Sequence, residues 1–194
     1  MARCLHLPIQ TERLLLRDFV ALDLNAIHAY SSDPEVTRFM FFGPRSEADS
    51  RDYLRRMLES QAQRPRLIWE LAIVRRSDDR LIGACDLTLE DEREGDLGYI
   101  LARDAWGKGY ATEVARAMVD AGFEQLGLER VFATCDVDNA ASAHVLEKAG
   151  LRYETLLKNH KEARGRWWDS YLYAIVRSEW RQAVQADKHT DAHG

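Results

Sequence analysis

Apolar residues recur at strand spacing and then at helix spacing along the first third of the chain. Residues 11–17 form a short apolar run between charged flanks, which predicts a strand. In residues 23–30, and again in residues 46–63, the apolar positions repeat at helical spacing, and Pro34 follows the end of the first of these segments. The pattern therefore predicts one strand followed by two helices.

Strand-like runs dominate the middle of the chain. Residues 69–74, 81–89 and 96–101 are largely apolar and are separated by short turns rich in charged residues. Because consecutive strands joined by short turns pair with their neighbours in sequence, these three runs predict an antiparallel meander.

After the meander, helical and strand-like segments alternate. The pattern predicts helices over 111–126 and 139–149 and strands over 131–137, 152–157 and 166–178. From about residue 181 the chain is polar, so we expect residues 181–194 to form a disordered tail. The predicted organisation is one α/β domain over residues 8–180, followed by that tail.

Composition and charge narrow the class of protein. Hydrophobic residues make up 46% of the 194 residues and charged residues 30%, which is the balance of a folded globular domain rather than a disordered chain. The formal net charge of -5 argues against direct binding of nucleic acid, which uses a basic surface, and it agrees with a cationic substrate. No apolar run approaches the ~20 residues that span a bilayer, so we expect no membrane segment.

Cysteine and histidine usage indicates a cytoplasmic protein without a metal centre. The three cysteines, Cys4, Cys85 and Cys135, are odd in number and far apart, which favours a reducing compartment over a disulfide framework. The first residues lack the apolar run and the small-residue cleavage site of a signal peptide. The six histidines show no ligand spacing, and we therefore expect no bound metal.

A glycine-rich turn stands between the last strand of the predicted meander and the helix that follows it. Its residues are Trp106, Gly107, Lys108, Gly109, Tyr110, Ala111 and Thr112. Where a strand runs through glycines into a helix, the first N–H groups of the helix and the positive end of its dipole are available to an anion such as phosphate. Glycine lets the backbone approach the phosphate and adopt positive φ. A plain strand-to-helix turn has the same composition, so the turn alone identifies no ligand.

Two other phosphate-binding motifs fit this turn less well. A P-loop requires Ser or Thr after Gly-Lys, whereas Gly109 follows Lys108. A dinucleotide-binding turn would align Gly107 with its first glycine, but Thr112 stands in place of its third, and Asp136 would bind the ribose. Such a turn also begins a series of parallel βαβ units, while this turn follows an antiparallel meander.

Several short motifs occur in a fixed order along nearly the whole chain. They are the segment 11–17, Gly98-Tyr99, the glycine turn, the segments 139–142 and 147–151, and Trp168-Asp169. In this order and spacing they resemble the GCN5-related N-acetyltransferases (GNAT), and within them the ribosomal-protein N-terminal acetyltransferases of the RimJ/RimL type. The superfamily turn reads Gln/Arg-x-x-Gly-x-Gly/Ala, and here Gly109 and Ala111 occupy its last two positions while Trp106 replaces the first.

The resemblance implies a single-domain GNAT fold of the α/β (α+β) class, with a mixed central sheet of about seven strands flanked by helices on both faces. It also implies acetyl-CoA as co-substrate, with the pyrophosphate on the N–H groups of the glycine turn. The pantetheine arm is then expected beside Ile100 and Leu101, and the thiol near Asn139 and Ser142. The cofactor-binding residues that the resemblance implies are Ile100, Leu101, Trp106, Gly107, Lys108, Gly109, Tyr110, Ala111, Thr112, Asn139 and Ser142.

Amide formation from a thioester needs a neutral amine and a proton for the departing thiolate. In many GNAT relatives a Glu on the strand before the glycine turn takes the amine proton; the nearest match is Asp96, and Glu94 is a weaker substitute. Relatives often carry a Tyr acid at the position of Leu146, so the resemblance leaves Ser142 as the best remaining donor. Each expected catalytic residue has a structural alternative: Asp96 as an exposed strand-end carboxylate, and Ser142 as a helix serine bonded to the backbone.

The expected reaction is direct acetyl transfer to an amine, because no Cys or Ser stands in a recognisable nucleophile–base arrangement. The subgroup implies a protein N-terminal α-amine as acceptor; a polyamine, an aminoglycoside or an amino-acid-like amine is the alternative. The aromatic segment 38–44 borders the acceptor site in this family. A degenerate module that binds acyl-CoA without catalysis is the competing hypothesis. Many relatives are dimers, which makes a homodimer a candidate assembly.

Overall fold

The structure, a computed structural model, describes residues 4–191, with side chains described through residue 186. The strands within this range are β1 (Ile9–Gln10), β2 (Leu14–Arg17), β3 (Ile68–Arg75), β4 (Arg80–Leu89), β5 (Glu94–Leu101), β6 (Arg130–Asp136), β7 (Arg152–Ala163) and β8 (Arg166–Val176). They form one eight-stranded sheet in the order β1-β2-β3-β4-β5-β6-β8-β7. Among these strands β5 and β6 pair in parallel, and all other neighbours pair antiparallel.

Helices cover both faces of the sheet. They are α1 (Leu24–Ser31), α2 (Glu47–Gln61), α3 (Tyr110–Glu124), α4 (Ala140–Lys148) and α5 (Arg177–Asp191). Side chains of α1 and α2 form a buried apolar cluster with one face of the sheet, and side chains of α3 and α4 form a larger cluster with the other face. Among the helices of residues 4–191, none is long and apolar enough to cross a membrane. The expected mixed sheet with helices on both faces is confirmed, and the strand beyond the expected seven is the two-residue β1.

Capping side chains set where the helices α2 and α4 begin. Before α2, the Ser46 hydroxyl accepts a hydrogen bond from the Asp49 N–H at 3.2 Å, and the Asp49 carboxylate accepts one from the Ser46 N–H at 3.0 Å. This reciprocal pair is a capping box. Before α4, the Asn139 Oδ1 accepts a hydrogen bond from the Ser142 N–H at 3.1 Å. The caps thereby fix the segment that leads into α2 and the first turn of α4.

Strands β5 and β6 separate partway along their length. They pair only where Glu94–Asp96 lies beside Arg130–Phe132. From Leu97 to Leu101, β5 keeps β4 on one edge, and no described strand pairs with its other edge. The result is a wedge-shaped opening in the middle of the sheet, where backbone N–H and C=O groups of β5 are available to a ligand.

Side chains beside this opening belong to opposite faces of the sheet. Leu97 and Leu101 pack in the apolar cluster of α3 and α4, whereas Ile100 packs against the cluster of α1 and α2. Because successive side chains of a strand point to opposite faces, Tyr99 lies on the first of these faces and Asp96 on the second. We call them the α3 face and the α1 face.

The C-terminal segment differs from the expected disordered tail. Helix α5 covers most of residues 181–194, and residues 192–194 lie outside the described part of the chain. Trp180 attaches helix α5 to helix α3. Its ring packs against Phe123 with 5.2 Å between centroids, and its indole N–H donates to the Asp120 carboxylate at 2.7 Å. Most of the helix surface is polar or charged, so the sequence pattern did not indicate this packing.

Candidate active site

The glycine turn presents a helix N-terminus directly after β5. Gly107 and Gly109 have φ angles of +70° and +78°, in the left-handed region that a residue with a Cβ rarely adopts. Helix α3 starts at Tyr110, and the N–H of Glu113 bonds back to the Gly109 carbonyl at 3.1 Å. The three N–H groups that precede Glu113 have no partner within the helix, so this end of α3 favours an anion.

Arg13 holds the glycine turn in place through hydrogen bonds. It was not among the site residues expected from the sequence. Its Nε–H donates to the Glu113 carboxylate at 2.7 Å, and one of its terminal N–H groups donates to the Lys108 carbonyl at 2.9 Å. Its guanidinium lies 4.7 Å from the centroid of the Tyr110 ring. The contact joins residues about a hundred positions apart, which leaves no local signal in the sequence.

The edge of β5 at the opening is formed by alternate residues. The Ala102 N–H donates to a carbonyl of β4 at 2.8 Å, which fixes the phase of the β4–β5 ladder. Alternate residues of an antiparallel strand direct their backbone groups to alternate edges, so those of Tyr99 and Leu101 face the opening, whereas those of Ile100 face β4. The Trp106 indole N–H donates to the Leu101 carbonyl at 2.9 Å. The backbone facing a ligand in the opening is therefore that of Tyr99 and Leu101, and Ile100 contributes its side chain.

A pair of hydroxyls lies on the α3 face, between β5 and α4. The Ser142 and Tyr99 hydroxyl oxygens are 2.8 Å apart, and the Tyr99 hydroxyl is also 3.3 Å from the Ser142 carbonyl oxygen. Asn139, which was expected near the same place, uses its amide oxygen to cap α4. Leu146 lies one turn further along the helix and is buried. The pair brings a phenol to this wall that the motif comparison had not identified as a site residue.

One cavity of about 440 Å³ is lined from both faces of the sheet. Tyr99, Asn139, Ser142 and Leu146 line it from the α3 face. Its lining from the α1 face includes Glu70, Asp86, Asp96, Arg45 and the aromatic segment 39–42. The cavity therefore brings the two expected catalytic residues, Asp96 and Ser142, to one space from opposite faces.

Three carboxylates form a row across the α1 face, which we call the acidic row. Glu70 on β3 is directly opposite Asp86 on β4, and Asp96 on β5 lies diagonally beside Asp86, two residues from its partner Gly98. Neighbouring strands are about 4.8 Å apart, so the row crosses roughly 10 Å of sheet. A Cβ at position 98 would overlap the Asp86 carboxylate, which explains the glycine there. The signal in the sequence was a single acid within each of two apolar strands.

Burial raises the pKa of all three carboxyls in the acidic row. The pKa rises to about 7 for Glu70, about 6 for Asp86 and about 7 for Asp96. The charge of Asp86 raises the pKa of both of its neighbours further, while Lys161 lowers that of Asp96. A carboxyl with a pKa near 7 takes a proton efficiently at neutral pH, and such shifts in a cavity are typical of functional sites.

Aromatic and polar side chains surround the Glu70 end of the cavity. The Arg45 guanidinium carbon lies 4.1 Å from the centroid of Phe42 and 4.0 Å from that of Tyr53. The Tyr53 hydroxyl donates a hydrogen bond to the Glu70 carboxylate. The Arg45 guanidinium thus covers both rings, and its charge partly offsets the rise in the pKa of Glu70 that burial causes. The aromatic segment that was expected to border an acceptor site does line this cavity.

Two further reactive groups are poorly placed for chemistry. The Glu94 carboxylate accepts a hydrogen bond from Arg130 at 2.9 Å, and Glu94 is absent from the described lining of the cavity. Cys135 does line the cavity, but burial raises the pKa of its thiol to about 11, so the thiol is protonated at neutral pH. This placement favours Asp96 over Glu94 as a base and argues against a thiolate nucleophile.

Comparison with protein families and with curated proteins agrees with this geometry. A family model described as acetyltransferase (GNAT) domain matches residues 13–152. The uncharacterized N-acetyltransferase p20 of Bacillus licheniformis is 33% identical over 179 residues, which cover 89% of this chain and 97% of that protein. The match therefore extends over nearly the full length of both proteins.

Comparison with solved structures extends the match to the fold. The acetyltransferase (GNAT family) of Bacillus anthracis is 30% identical with a TM-score of 0.79, over 88% of this chain and 98% of that one. The spermidine N-acetyltransferase of Vibrio cholerae, in complex with CoA and spermine, shares the fold with a TM-score of 0.74 at 21% identity, over 88% of this chain and 99% of that one. Family model, relative and fold agree, and the chain belongs to the GNAT family of N-acetyltransferases.

Proposed function

We propose that this N-acetyltransferase takes its acetyl group from acetyl-CoA, a thioester that supplies an activated acetyl carbonyl. The glycine turn offers unpaired N–H groups and positive φ, and Arg13, which is paired with Glu113, holds the turn through the Lys108 carbonyl; this combination fits a pyrophosphate. The β5 edge at the opening fits the amide-bearing pantetheine arm. The proposed contacts are those expected from the sequence, Ile100, Leu101, Trp106, Gly107, Lys108, Gly109, Tyr110, Ala111, Thr112, Asn139 and Ser142, together with Arg13 and Tyr99.

The acidic row is the observation that carries the proposed reaction. An amine is mainly cationic at neutral pH, and the row attracts a cation into the cavity before the amine loses its proton. Asp96 is on β5, the strand that borders the opening, so we assign it as the base. Asp86 and Glu70 lie on successive strands further from the opening and stabilise the cation. The protonated Cys135 thiol supports direct transfer to the amine without an acetylated enzyme.

We propose a protein N-terminal α-amine of the ribosomal-protein type as the acceptor, in line with the RimJ/RimL resemblance. A small-molecule amine is the second candidate. It is favoured by Glu70, which accepts a hydrogen bond from Tyr53 and lies near Arg45 but still provides a further carboxylate roughly 10 Å from Asp96 for a second positive charge. The odd and scattered cysteines support a cytoplasmic location for either acceptor.

A thiol-release assay with acetyl-CoA and a panel of amines tests this proposal. The panel pairs peptides that have a free N-terminus with the same peptides carrying a blocked N-terminus, and adds diamines, polyamines and aminoglycosides. We expect turnover on the free peptides and none on the blocked ones. Turnover confined to the small amines would support the second candidate. Tight CoA binding without turnover on any amine would contradict the proposed reaction.

A further inference from the structure

The hydroxyl pair formed by Tyr99 and Ser142 has no role in binding the pyrophosphate or in removing the amine proton. It joins two elements that are 43 residues apart in sequence, β5 and α4, at the wall of the cavity on the α3 face. We infer that Tyr99 is a positioning residue for the departing thiol. Its phenol donates a hydrogen bond to the Ser142 hydroxyl oxygen and thereby directs the Ser142 O–H toward the sulfur of coenzyme A. This inference rests on the proposed function.

The direction of the hydrogen bond follows from the chemistry of the two groups. The Tyr99 phenol can donate to the Ser142 hydroxyl oxygen at 2.8 Å or to the Ser142 carbonyl oxygen at 3.3 Å. Because the hydroxyl oxygen is nearer and a phenol is a stronger acid than an aliphatic alcohol, we assign Tyr99 as the donor and the Ser142 hydroxyl oxygen as the acceptor. Among the described residues, no backbone carbonyl of α4 accepts a hydrogen bond from the Ser142 hydroxyl. Because the Ser142 oxygen accepts a hydrogen bond from Tyr99, the Ser142 O–H can donate to a partner within the cavity.

Leu146 explains why a phenol from another element is needed. Its side chain occupies the cavity wall one turn after Ser142 and has no proton to donate. Tyr99 provides a hydroxyl from the neighbouring strand instead. Burial raises the pKa of the Tyr99 phenol, so it remains a donor throughout the working pH range.

The expected effect is stabilisation of negative charge on sulfur without net proton donation. When the thioester C–S bond breaks, its electron pair goes to sulfur. The bound ammonium loses one proton to Asp96 before the attack and a second, from the nitrogen of the adduct, as the C–S bond breaks. One of these two protons passes through solvent to the sulfur and the other is released, so the reaction is balanced without ionising Tyr99. A hydrogen bond to an anion is stronger than one to a neutral group, and a second donor behind Ser142 strengthens it further.

Binding of CoA and of desulfo-CoA, measured by calorimetry at pH 9 where a fraction of the free thiol is ionised, tests the inference apart from activity. We expect the wild-type protein to bind CoA about tenfold more tightly than desulfo-CoA. Ser142→Ala should remove this preference, and Tyr99→Phe should reduce it to about threefold, with desulfo-CoA affinity unchanged in both variants. An undiminished preference of about tenfold in Tyr99→Phe would overturn the inference.

Steady-state kinetics provide the second readout. We expect Tyr99→Phe to lower kcat about tenfold and to leave the KM for acetyl-CoA within about twofold of the wild-type value. The double variant, Tyr99→Phe with Ser142→Ala, should be no slower than Ser142→Ala alone. Tyr173→Phe is the matched control, because its phenol donates to Glu147 of α4 at 3.4 Å but is outside the described cavity lining; it should change neither readout. Additive losses in the double variant would overturn the inference. Absence of wild-type turnover would contradict the proposed function, while the binding preference would still test Tyr99.

Discussion

The two faces of the sheet at the β5–β6 opening differ in how their polar groups are held. On the α3 face the groups are paired with one another, because Ser142 contacts Tyr99 and Arg13 bonds Glu113. On the α1 face, no described residue forms an ion pair with Asp86 or Asp96, and burial raises the pKa of both carboxyls. The α3 face is organised before any ligand arrives, whereas Asp86 and Asp96 become compensated when a cation enters.

This difference separates two tasks in one cavity. A rigid face suits a co-substrate that always binds in the same way, and preorganisation lowers the entropy lost on binding. An uncompensated acidic face suits an acceptor that arrives charged and must leave uncharged. Substitutions on the two faces should therefore change different measurable quantities.

The largest expected effect is that of Asp96→Asn. The amide cannot take a proton, so we expect kcat to fall roughly 100-fold to 1000-fold, while the Kd of CoA stays the same. Glu94→Gln is the matched control, because Glu94 is on the same strand but pairs with Arg130, and we expect wild-type kcat from it. A thiol-release assay gives kcat, and calorimetry gives the Kd of CoA. Equal losses of kcat and of CoA affinity in Asp96→Asn would show that the two faces are not independent.

The next effect is on the α3 face, from Gly109→Val. A valine at φ of +78° forces the turn to rearrange, and the loss of hydrogen bonds to a charged phosphate is expected to weaken CoA binding roughly 10-fold to 100-fold. Gly165→Val is the matched control, since Gly165 also has a positive φ but is in the β7–β8 turn. Calorimetry should show wild-type CoA affinity in the control. Unchanged affinity in Gly109→Val would refute the phosphate assignment.

Sequence reasoning recovered the features that depend on local signals. The meander, the glycine turn and the start of α4 at Asn139 all follow from residues within a few positions of one another, and the structure confirms the fold they predict. The contacts that complete the site depend on register and packing. The acidic row requires the β3–β4 register that places Glu70 opposite Asp86, and the hydroxyl pair requires Tyr99 of β5 to contact Ser142 of α4. No motif spacing encodes either contact.

The pH dependence of kcat/KM is a smaller effect that tests the coupling within the acidic row. Asp96 must be ionised to act as a base, so the rate is expected to rise with pH through about 7. Asp86 and Glu90 raise the pKa of Asp96, and Lys161 lowers it. Asp86→Asn removes one like charge, which lowers the pKa of Asp96 and should shift this limb roughly one unit toward lower pH.

A pH–rate profile with one amine throughout cancels the titration of the amine itself, because only the enzyme differs between the profiles. Asp91→Asn is the control, since its carboxylate accepts backbone hydrogen bonds in the β4–β5 turn and is outside the described cavity lining. We expect the wild-type profile from it. A limb that stays in place in Asp86→Asn would mean that Asp96 is not the titrating base.

The smallest expected effect is on stability, and it separates the two faces without any substrate. Burial raises the pKa of Asp86 from 3.8 to about 6, so its contribution to stability is present below pH 3.8 and is lost as pH rises through about 6. Asp86→Asn removes that loss, and we expect it to raise the free energy of unfolding at pH 8 by roughly 1 kcal/mol, less than the full shift because the cavity admits water.

Urea unfolding at pH 8 and at pH 4 measures this effect, and the gain should vanish at pH 4, where the Asp86 carboxyl is mostly protonated in the folded protein. Glu113→Gln on the α3 face should act in the opposite direction at pH 8. Burial raises the pKa of the Glu113 carboxyl, but hydrogen bonds from Thr11 and Arg13 to the carboxylate together lower it below its usual value. Destabilisation by Asp86→Asn at pH 8 would show that the acidic row is held by compensating contacts like those of the α3 face. The uncompensated charge that we assign to cation binding would then be absent.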